Sequence, residues 1–387
     1  MPEAVIVATA RSPIGRAFKG SLIEARADDT AGFIIDAALK KVPQLDRGEI
    51  VDVMMGAAQQ VGEQGMNVGR NAAMLAGLPD TVGGTTVNRF CASSTQTIRM
   101  AYHAIKAGEG DAFVAAGVEF VSRTAGRGFE KDDANLRFID KSRPDYINDM
   151  YIAMGQTAEN VADQFKISRQ RQDEFAKLSQ DRAVEAQKSG FFDREIIPVT
   201  LPNGNVVTQD DGPRPGTTLE KLAELKPVFR EGGSVTAGNA CPLNDGAAAV
   251  VVMSDTRAKE LGLKPLARIA GTAVSGLAPE IMGVGPIEAV RKLLAQTGKT
   301  ISDIDVVELN EAFASQVLAV CDTLGISVED QLNPNGGAIA LGHQFGMTGA
   351  RIMGTLINDL HTLDKQWGIE TMCVGGGQGM AVLVERL

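Results

Sequence analysis

The spacing of hydrophobic residues predicts alternating strands and helices in the first third of the chain. Residues 4–8 form a short apolar run that indicates a strand, and apolar residues recur at helical spacing within 30–41. Further patterns indicate strands at 51–57, 85–89 and 111–117, with a helix around 98–105. Strands that alternate with helices predict a mainly parallel, buried sheet.

The C-terminal third repeats this order of elements. The pattern predicts helices at 285–298 and 350–363, and strands at 303–310, 370–377 and 380–387. Segment 30–58 resembles 285–312 in the order and spacing of its elements, as 108–119 resembles 365–378. We therefore interpret the chain as two related halves. Between Phe120 and Ser234 charged residues and polar loops increase, which indicates an insertion that covers a site.

Composition narrows the function class. The 387 residues are too many for one ordinary core. The net charge of −10 and the lack of a basic run argue against a nucleic-acid binder. No run of 18 apolar residues predicts membrane insertion, and the N-terminus lacks the features of a signal peptide, so a cytoplasmic protein is expected.

The four cysteines fit neither a disulfide framework nor a metal pair, and the three histidines lack ligand spacing. Neither a metal site nor a resident cofactor is expected. Cys91 stands where a predicted strand meets a helix, within TTVNRFCASS. The partial positive charge at a helix N-terminus would lower the pKa of its thiol and favour thiolate. The alternative is a buried structural cysteine.

Three further motifs accompany Cys91. His343 lies among glycines in NGGAIALGHQFGMTG, ahead of a helix that carries Arg351, where it could act as base to a thiol or remain a core residue. Cys373 ends a strand before three glycines whose N–H groups could bind an oxyanion or, less in keeping with the pattern, a phosphate. Asn310 ends another strand, and a helix is expected to start at Glu311. Together these residues indicate cysteine-based acyl transfer; His103 and His361 are interpreted as structural.

Five ordered motifs resemble the thiolase family across the whole chain: VNRFCASS, TAGNACPLNDGAAAV, LNEAFA, NGGAIALGH and CVGGGQG. The resemblance implies an α/β thiolase fold, with duplicated βαβαβαββ halves in a five-layered α/β/α/β/α core and an inserted loop domain. The expected limits are 1–120 with 248–264 for the N-terminal half, 121–247 for the loop domain and 265–387 for the C-terminal half. It also implies a homodimer or homotetramer.

The same resemblance implies a role for each motif residue. Cys91 would be the nucleophile, His343 its activating base, and Cys373 the second acid and base. Asn310 would hold a water at the enolate oxygen, and the N–H groups of Cys91 and Gly375 would bind the oxyanion. Breaking a carbon–carbon bond creates a carbanion, so a proton donor distinct from the nucleophile is chemically reasonable.

Coenzyme A, as a substrate and not a cofactor, is implied to contact a set of matching positions: Arg214, Cys241, Met154, Met282, Ala312 and Phe313. Two positions depart from the family pattern. Thiolases usually have serine at Cys241 and proline at Gln344, so a hydroxyl contact is lost and the turn that holds His343 loses a fixed φ.

The acyl substrate is indicated by one residue. Ala153 in YIAMGQTAEN stands where acetoacetyl-specific biosynthetic thiolases tend to have histidine. A smaller, apolar residue favours a longer acyl chain, hence thiolysis of 3-ketoacyl-CoA in fatty-acid β-oxidation. The alternatives are a biosynthetic acetyl-CoA acetyltransferase and a non-catalytic CoA-binding subunit. A hydratase/dehydrogenase subunit is a conceivable partner.

Overall fold

A computed structural model describes residues 2–387. Its strands are β1 Ala4–Arg11, β2 Gly15–Arg16, β3 Asp52–Gly56, β4 Gly83–Val87, β5 Ala112–Phe120, β6 Val199–Thr200, β7 Val206–Val207, β8 Asn244–Ser254, β9 Ala267–Gly276, β10 Val306–Leu309, β11 Trp367–Val374 and β12 Gln378–Arg386. Its α-helices are α1 Ala27–Lys40, α2 Val68–Leu75, α3 Ser93–Ala107, α4 Val121–Thr124, α5 Met154–Phe165, α6 Arg169–Lys188, α7 Leu219–Ala223, α8 Asp255–Glu260, α9 Gly285–Thr297, α10 Ala314–Leu324, α11 Ala338–Leu341 and α12 Thr348–Thr362.

The main strands form two half-sheets with the same internal order. The first runs β4-β3-β5-β8-β1, and the second runs β10-β11-β12-β9. In the second half-sheet, Leu332 pairs with Val307 of β10 through a single parallel bridge, at the position that β4 occupies in the first. If this bridge is counted as a strand and the strands of each half are numbered from 1 to 5 along the chain, both half-sheets have the order 3-2-4-5-1. This confirms the duplication that the order of elements predicted.

The prediction of a mainly parallel sheet is wrong. Only β3 with β4, β3 with β5, and β10 with β11 pair in parallel. Strand β8 runs antiparallel to both of its neighbours, and β12 does the same in the second half. In each half the last strand runs in the direction opposite to that of its neighbours. The alternation of helices and strands along the sequence does not reveal this direction.

Helices and sheets alternate in five layers. Helices α1 and α2 pack outside the first half-sheet, and α9 and α10 pack outside the second. Between the sheets lie α3 and α12, whose apolar side chains include Ile98, Ile105, Met353 and Leu356. A short antiparallel pairing of β1 with β9 joins the two sheets at their adjacent edges. The predicted α/β/α/β/α core is confirmed.

The segment between β5 and β8 contains α4 to α7 and the small β6–β7 ribbon. Helix α5 packs against α10, and α6 packs against α10 and α11, so this segment covers the second half beside the ends of its strands. The domain limits expected from the sequence stay a prediction. Within residues 2–387, no helix has the length and apolar character needed to cross a membrane.

The two central helices approach each other unusually closely at Gly349. A Cβ atom added there would lie 2.1 Å from Thr95 Oγ1 and 2.3 Å from the backbone nitrogen of Thr95. The next residue, Ala350, donates its backbone N–H to Ser94 Oγ at 2.9 Å. Since real Cβ atoms do not approach backbone this closely, only glycine allows this contact.

We expect Gly349→Ala to destabilise the protein by about 2 kcal/mol, because the methyl group would force α3 and α12 apart. Gly354→Ala, in the same helix, is the matched control. Its Cβ would lie 3.5 Å from Thr9 Oγ1, an ordinary contact, and alanine favours a helix over glycine by about 1 kcal/mol. Urea denaturation of both variants measures the difference. Equal stability of the two variants would contradict the close-contact account.

Candidate active site

Cys91 lies in a single 3-10 turn, Phe90–Ala92, that directly precedes α3. The turn is held by Ser93, whose hydroxyl accepts from the backbone N–H of Arg89 and donates to the carbonyl of Phe90. Phe90 has a positive φ of 45°, a backbone conformation that bulky residues rarely adopt. The thiol of Cys91 therefore sits on a tight, well-determined bend at the start of a helix.

Burial controls the protonation of Cys91. Desolvation raises the pKa of its thiol to about 11, although the N–H groups of Gly375 and of Cys91 itself act in the opposite direction. The nearby charge of Glu119 raises it further. The expectation that the helix N-terminus would favour thiolate is therefore wrong for the free protein. A thiol with almost no access to water gains less from the helix dipole than it loses in hydration.

The His343 imidazole is oriented by Thr348. Its Nδ1 lies 2.7 Å from Thr348 Oγ1, and that hydroxyl donates to the carbonyl of Gln344 at 3.0 Å. Because the hydroxyl proton is already used, Thr348 must accept the Nδ1 proton, which leaves Nε2 with its lone pair. Asn310 Nδ2 lies 3.4 Å from that Nε2.

The pKa of His343 is lowered to about 3, first by burial and then by the charge of Arg351. The imidazole is thus neutral in the free protein and able to accept a proton. Phe345, two residues on, packs against the apolar cluster that contains Cys91, which brings the histidine segment against the turn that carries Cys91. In the free protein a neutral thiol and a neutral imidazole therefore lie on adjoining segments.

Glu119 holds the histidine segment and was not singled out from the sequence. Its carboxylate accepts the backbone N–H groups of Gly346, Ala58 and Gln59, and the side-chain amide of Gln64. Burial raises its pKa to about 7 while these donors lower it. Glu119 is the penultimate residue of β5, and its partners are more than 50 residues away in sequence, so no local motif indicates its role.

Cys373 is the second thiol of the site. It is the penultimate residue of β11 and fully buried. Its pKa is raised well above the ordinary value, first by burial and then by the charges of Cys91 and Cys241. Cys241 packs against the cluster that contains Cys373, and Cys91 packs with Met372 and Val374, the residues on either side of Cys373. Around Cys373 packs an apolar cluster that brings together all the predicted channel residues: Met154, Met282, Ala312, Phe313 and Cys241.

The loop after Cys373 is a three-glycine hairpin turn. Gly376 and Gly377 adopt positive φ angles of 73° and 79°, and Gly375 lies against the ring of Phe90, the residue before Cys91. Asn310 follows β10 directly, as expected, but the next helix begins at Ala314 and not at Glu311. Glu311 instead accepts hydrogen bonds from Ser179, Asn333 and Ile339.

Arg214 lies apart from the sulfur groups, in a cavity of about 330 Å³. Arg16 and Lys221 line the same cavity, and Ala240, beside Cys241, forms part of its wall. Burial and then the charge of Arg16 lower the pKa of Arg214. An anion in the cavity would relieve this repulsion. Neither Arg16 nor Lys221 stands in a motif that the sequence makes recognisable.

The other two histidines are not part of this site. His103 is exposed on α3, and His361 contacts the carbonyl of Leu266 at 3.0 Å. Over the described residues 2–387, no group of three histidine, cysteine or acidic side chains is arranged to hold a metal ion.

Two family models match the chain and together span nearly all of it. Residues 4–256 match the N-terminal domain of thiolase, and residues 263–386 match its C-terminal domain. The chain belongs to the thiolase family. It is accordingly a thiolase-type acyltransferase, with Cys91 and His343 in the segments that precede equivalent central helices of the two halves.

Named relatives cover the chain from end to end. This thiolase is 46% identical to a beta-ketoadipyl-CoA thiolase of Pseudomonas knackmussii, over 100% of the chain and 99% of the relative. It is 45% identical to a 3-oxoadipyl-CoA/3-oxo-5,6-dehydrosuberyl-CoA thiolase of Escherichia coli, over the full length of both. The crystal structure of a Bacillus anthracis acetyl-CoA acetyltransferase matches with a TM-score of 0.92 and 41% identity, over 100% of this chain and 99% of the other.

We expect the alkylation rate of Cys91 by iodoacetamide to rise about tenfold per pH unit between pH 7 and 10 in the free enzyme. The thiolate is the reactive form, and burial raises the pKa of the thiol to about 11. Peptide mapping after timed quenching measures modification at Cys91 separately from the other cysteines. A rate that levels off below pH 8 would instead indicate a preformed thiolate–imidazolium pair.

Proposed function

We propose that this thiolase cleaves 3-oxoacyl-CoA with CoA, yielding acetyl-CoA and an acyl-CoA shortened by two carbons. Two separate buried thiols support this proposal most strongly: Cys91 packs against Met372 and Val374, the neighbours of Cys373, and Phe345 of the histidine segment packs against the same cluster. A single thiol suffices for acyl transfer, but carbon–carbon cleavage also needs a proton donor for the departing carbanion. The second thiol supplies that donor.

In the first half-reaction, Cys91 Sγ attacks the 3-oxo carbon while its proton moves to His343 Nε2. The negative charge that develops on the 3-oxo oxygen is stabilised by the N–H groups of Cys91 and Gly375. The bond between C2 and C3 then breaks, and its electron pair forms the enolate of acetyl-CoA. Cys373 donates a proton to C2, and the acyl group remains on Cys91 as a thioester.

In the second half-reaction, the Cys373 thiolate takes the proton of the incoming CoA thiol. The CoA sulfur attacks the acyl carbon, and Cys91 leaves as a thiolate that recovers its proton from His343. The same oxyanion donors act in both tetrahedral steps. Asn310, whose amide nitrogen lies 3.4 Å from His343 Nε2, holds the water that, together with His343, stabilises the enolate oxygen.

CoA binds with its phosphates in the basic cavity around Arg214, Arg16 and Lys221, and with its pantetheine arm along the cluster that contains Cys241 and Phe313. Three positive side chains around one cavity support this assignment. The wall residue Ala240 links the cavity to the apolar cluster through its pairing with Phe313. This path leads from the surface to the sulfur groups.

For the acyl group we propose a chain longer than four carbons. Ala153 directly precedes α5, where its backbone is extended and its side chain is small. The similarity to relatives named for β-ketoadipyl-CoA supports a short acyl group that ends in a carboxylate. The fatty-acid degradation expected from Ala153 instead supports an unsubstituted linear acyl chain. The likeness to an acetyl-CoA acetyltransferase supports biosynthetic condensation as the second candidate.

We also propose a homodimer, with pairing of two dimers into a tetramer. Strand β4 ends the first half-sheet, and along the described chain it pairs only with β3. An open strand edge of this kind is suited to pairing with a second copy. Location in the cytoplasm, association with a hydratase/dehydrogenase subunit and a purely CoA-binding role stay predictions.

Substitution of the two thiols separates their roles. We expect Cys91→Ala to abolish both cleavage and covalent acylation by acetyl-CoA, because no nucleophile remains. Cys373→Ala should still become acylated but should lose carbon–carbon cleavage by at least about 100-fold, the usual worth of a general acid. Intact mass spectrometry and thiolysis rates measure the two steps. Equal loss of acylation in both variants would contradict this division.

A substrate series identifies the acyl group. We expect kcat/KM for thiolysis to be higher with six-carbon substrates than with acetoacetyl-CoA, because Ala153 leaves room beyond the fourth carbon. Comparison of 3-oxoadipyl-CoA with 3-oxohexanoyl-CoA isolates the effect of the terminal carboxylate, and 3-oxooctanoyl-CoA adds length alone. A strict preference for acetoacetyl-CoA would overturn the degradative proposal in favour of the biosynthetic candidate.

A further inference from the structure

Two polar side chains outside the acyl-transfer set connect the nucleophile turn to the glycine turn. Arg89, two residues before Cys91, donates from Nη1 to Gln378 Oε1 at 2.8 Å. Gln378, three residues after Gly375, donates from Nε2 to the Gly375 carbonyl at 3.2 Å. Arg89 also donates from Nε to Gln96 Oε1 on α3 at 3.0 Å. The chain of bonds joins segments 289 residues apart in sequence.

The orientation of the Gln378 amide follows from its partners. A guanidinium has donors and no acceptor, so Gln378 must present its oxygen to Arg89. Its NH₂ group is then left to face the Gly375 carbonyl, as observed. A 180° flip of the Gln378 amide would therefore break both its hydrogen bond from Arg89 and its hydrogen bond to the Gly375 carbonyl. Gln96 fixes the other side of the guanidinium on α3.

Gly375 needs such a tie. It has no side chain, so its backbone torsions are the least restricted of any residue, and the two residues that follow are also glycines with positive φ. Gly375 nevertheless lies against Phe90, the residue before Cys91, whose ring a Cβ atom on Gly375 would meet at 3.5 Å, and its N–H lowers the pKa of the Cys91 thiol. Strand β11 holds the residue before it, since Val374 pairs with Gln378, and a hydrogen bond to the Gly375 carbonyl restrains the peptide unit after it. Gly375 is then held on both sides, so its N–H keeps one direction.

We propose that Arg89 and Gln378 are positioning residues that hold the Gly375 N–H in place for the Cys91 sulfur and for the oxyanion formed there. The inference rests on the proposed roles of Cys91 and Gly375. Neither side chain touches the reacting atoms. Together they connect the oxyanion donor, which belongs to the C-terminal half, to the nucleophile turn, which belongs to the N-terminal half.

Gln378→Met tests this role, since methionine has a similar length but neither donor nor acceptor. We expect kcat for thiolysis to fall about tenfold, less than the hundredfold or more that follows complete removal of an oxyanion donor, with KM changed less than twofold. The alkylation rate of Cys91 at pH 8 should fall in parallel, because a loosened N–H stabilises the thiolate less. The groups that face the thiol, Glu119, Cys241 and Cys373, remain unchanged.

Gln366→Met is the matched control, because Gln366 also donates from a side-chain amide, to Glu385, at the other end of β12. It should leave kcat and alkylation unchanged. Arg89→Lys and Arg89→Met provide independent variants if Gln378→Met is poorly folded, with the lysine variant closer to the parent enzyme. Unfolding temperatures report whether each variant is folded.

Unchanged kcat and unchanged Cys91 alkylation in folded Gln378→Met and Arg89→Met would overturn the inference. So would a loss confined to KM or to thermal stability, which a merely structural role would produce. If Cys91→Ala retained turnover, the proposed function itself would fail. If Cys91→Ala is inactive while both positioning variants behave like the parent, the positioning role alone is wrong.

Discussion

The contact between α3 and α12 determines the geometry of the whole molecule. These helices form the central layer, each from the same place in its own half, and they touch where Gly349 lies against Thr95. The turn with Cys91 precedes one helix and the segment with His343 precedes the other. Close approach of the two helices therefore brings the two groups together, and a larger residue at the contact would separate them.

Two halves packed this way create a dry site. Cys91, His343 and Cys373 are all buried, and burial is the largest influence on the pKa of each. In the free enzyme Cys91 is therefore a neutral thiol and His343 a neutral imidazole. In the proposed mechanism negative charge develops only on the substrate oxygen, beside the Gly375 N–H. In such surroundings fixed hydrogen-bond donors stabilise a developing anion more strongly than water-exposed ones.

Local signals in the sequence indicated most of the elements, and they singled out Cys91, His343, Asn310 and Cys373, the residues to which the proposal gives roles. The order of strands and helices also predicted the duplication, and the resemblance to thiolases implied the layers. The sequence did not reveal three features: the direction of the strands, the burial that raises the pKa of Cys91, and the hydrogen bonds by which Glu119 holds the histidine segment. All three arise from contacts between segments that are remote along the chain.

The central claim is that Cys91 carries the acyl group released by carbon–carbon cleavage. The most direct measurement is mass mapping of the enzyme after a rapid quench with 3-oxoadipyl-CoA in the absence of free CoA. The account predicts a four-carbon succinyl group on the peptide that contains Cys91, formed together with acetyl-CoA. An acyl group on Cys241 or Cys373 instead, or release of acetyl-CoA with no acyl group on any cysteine, would contradict it.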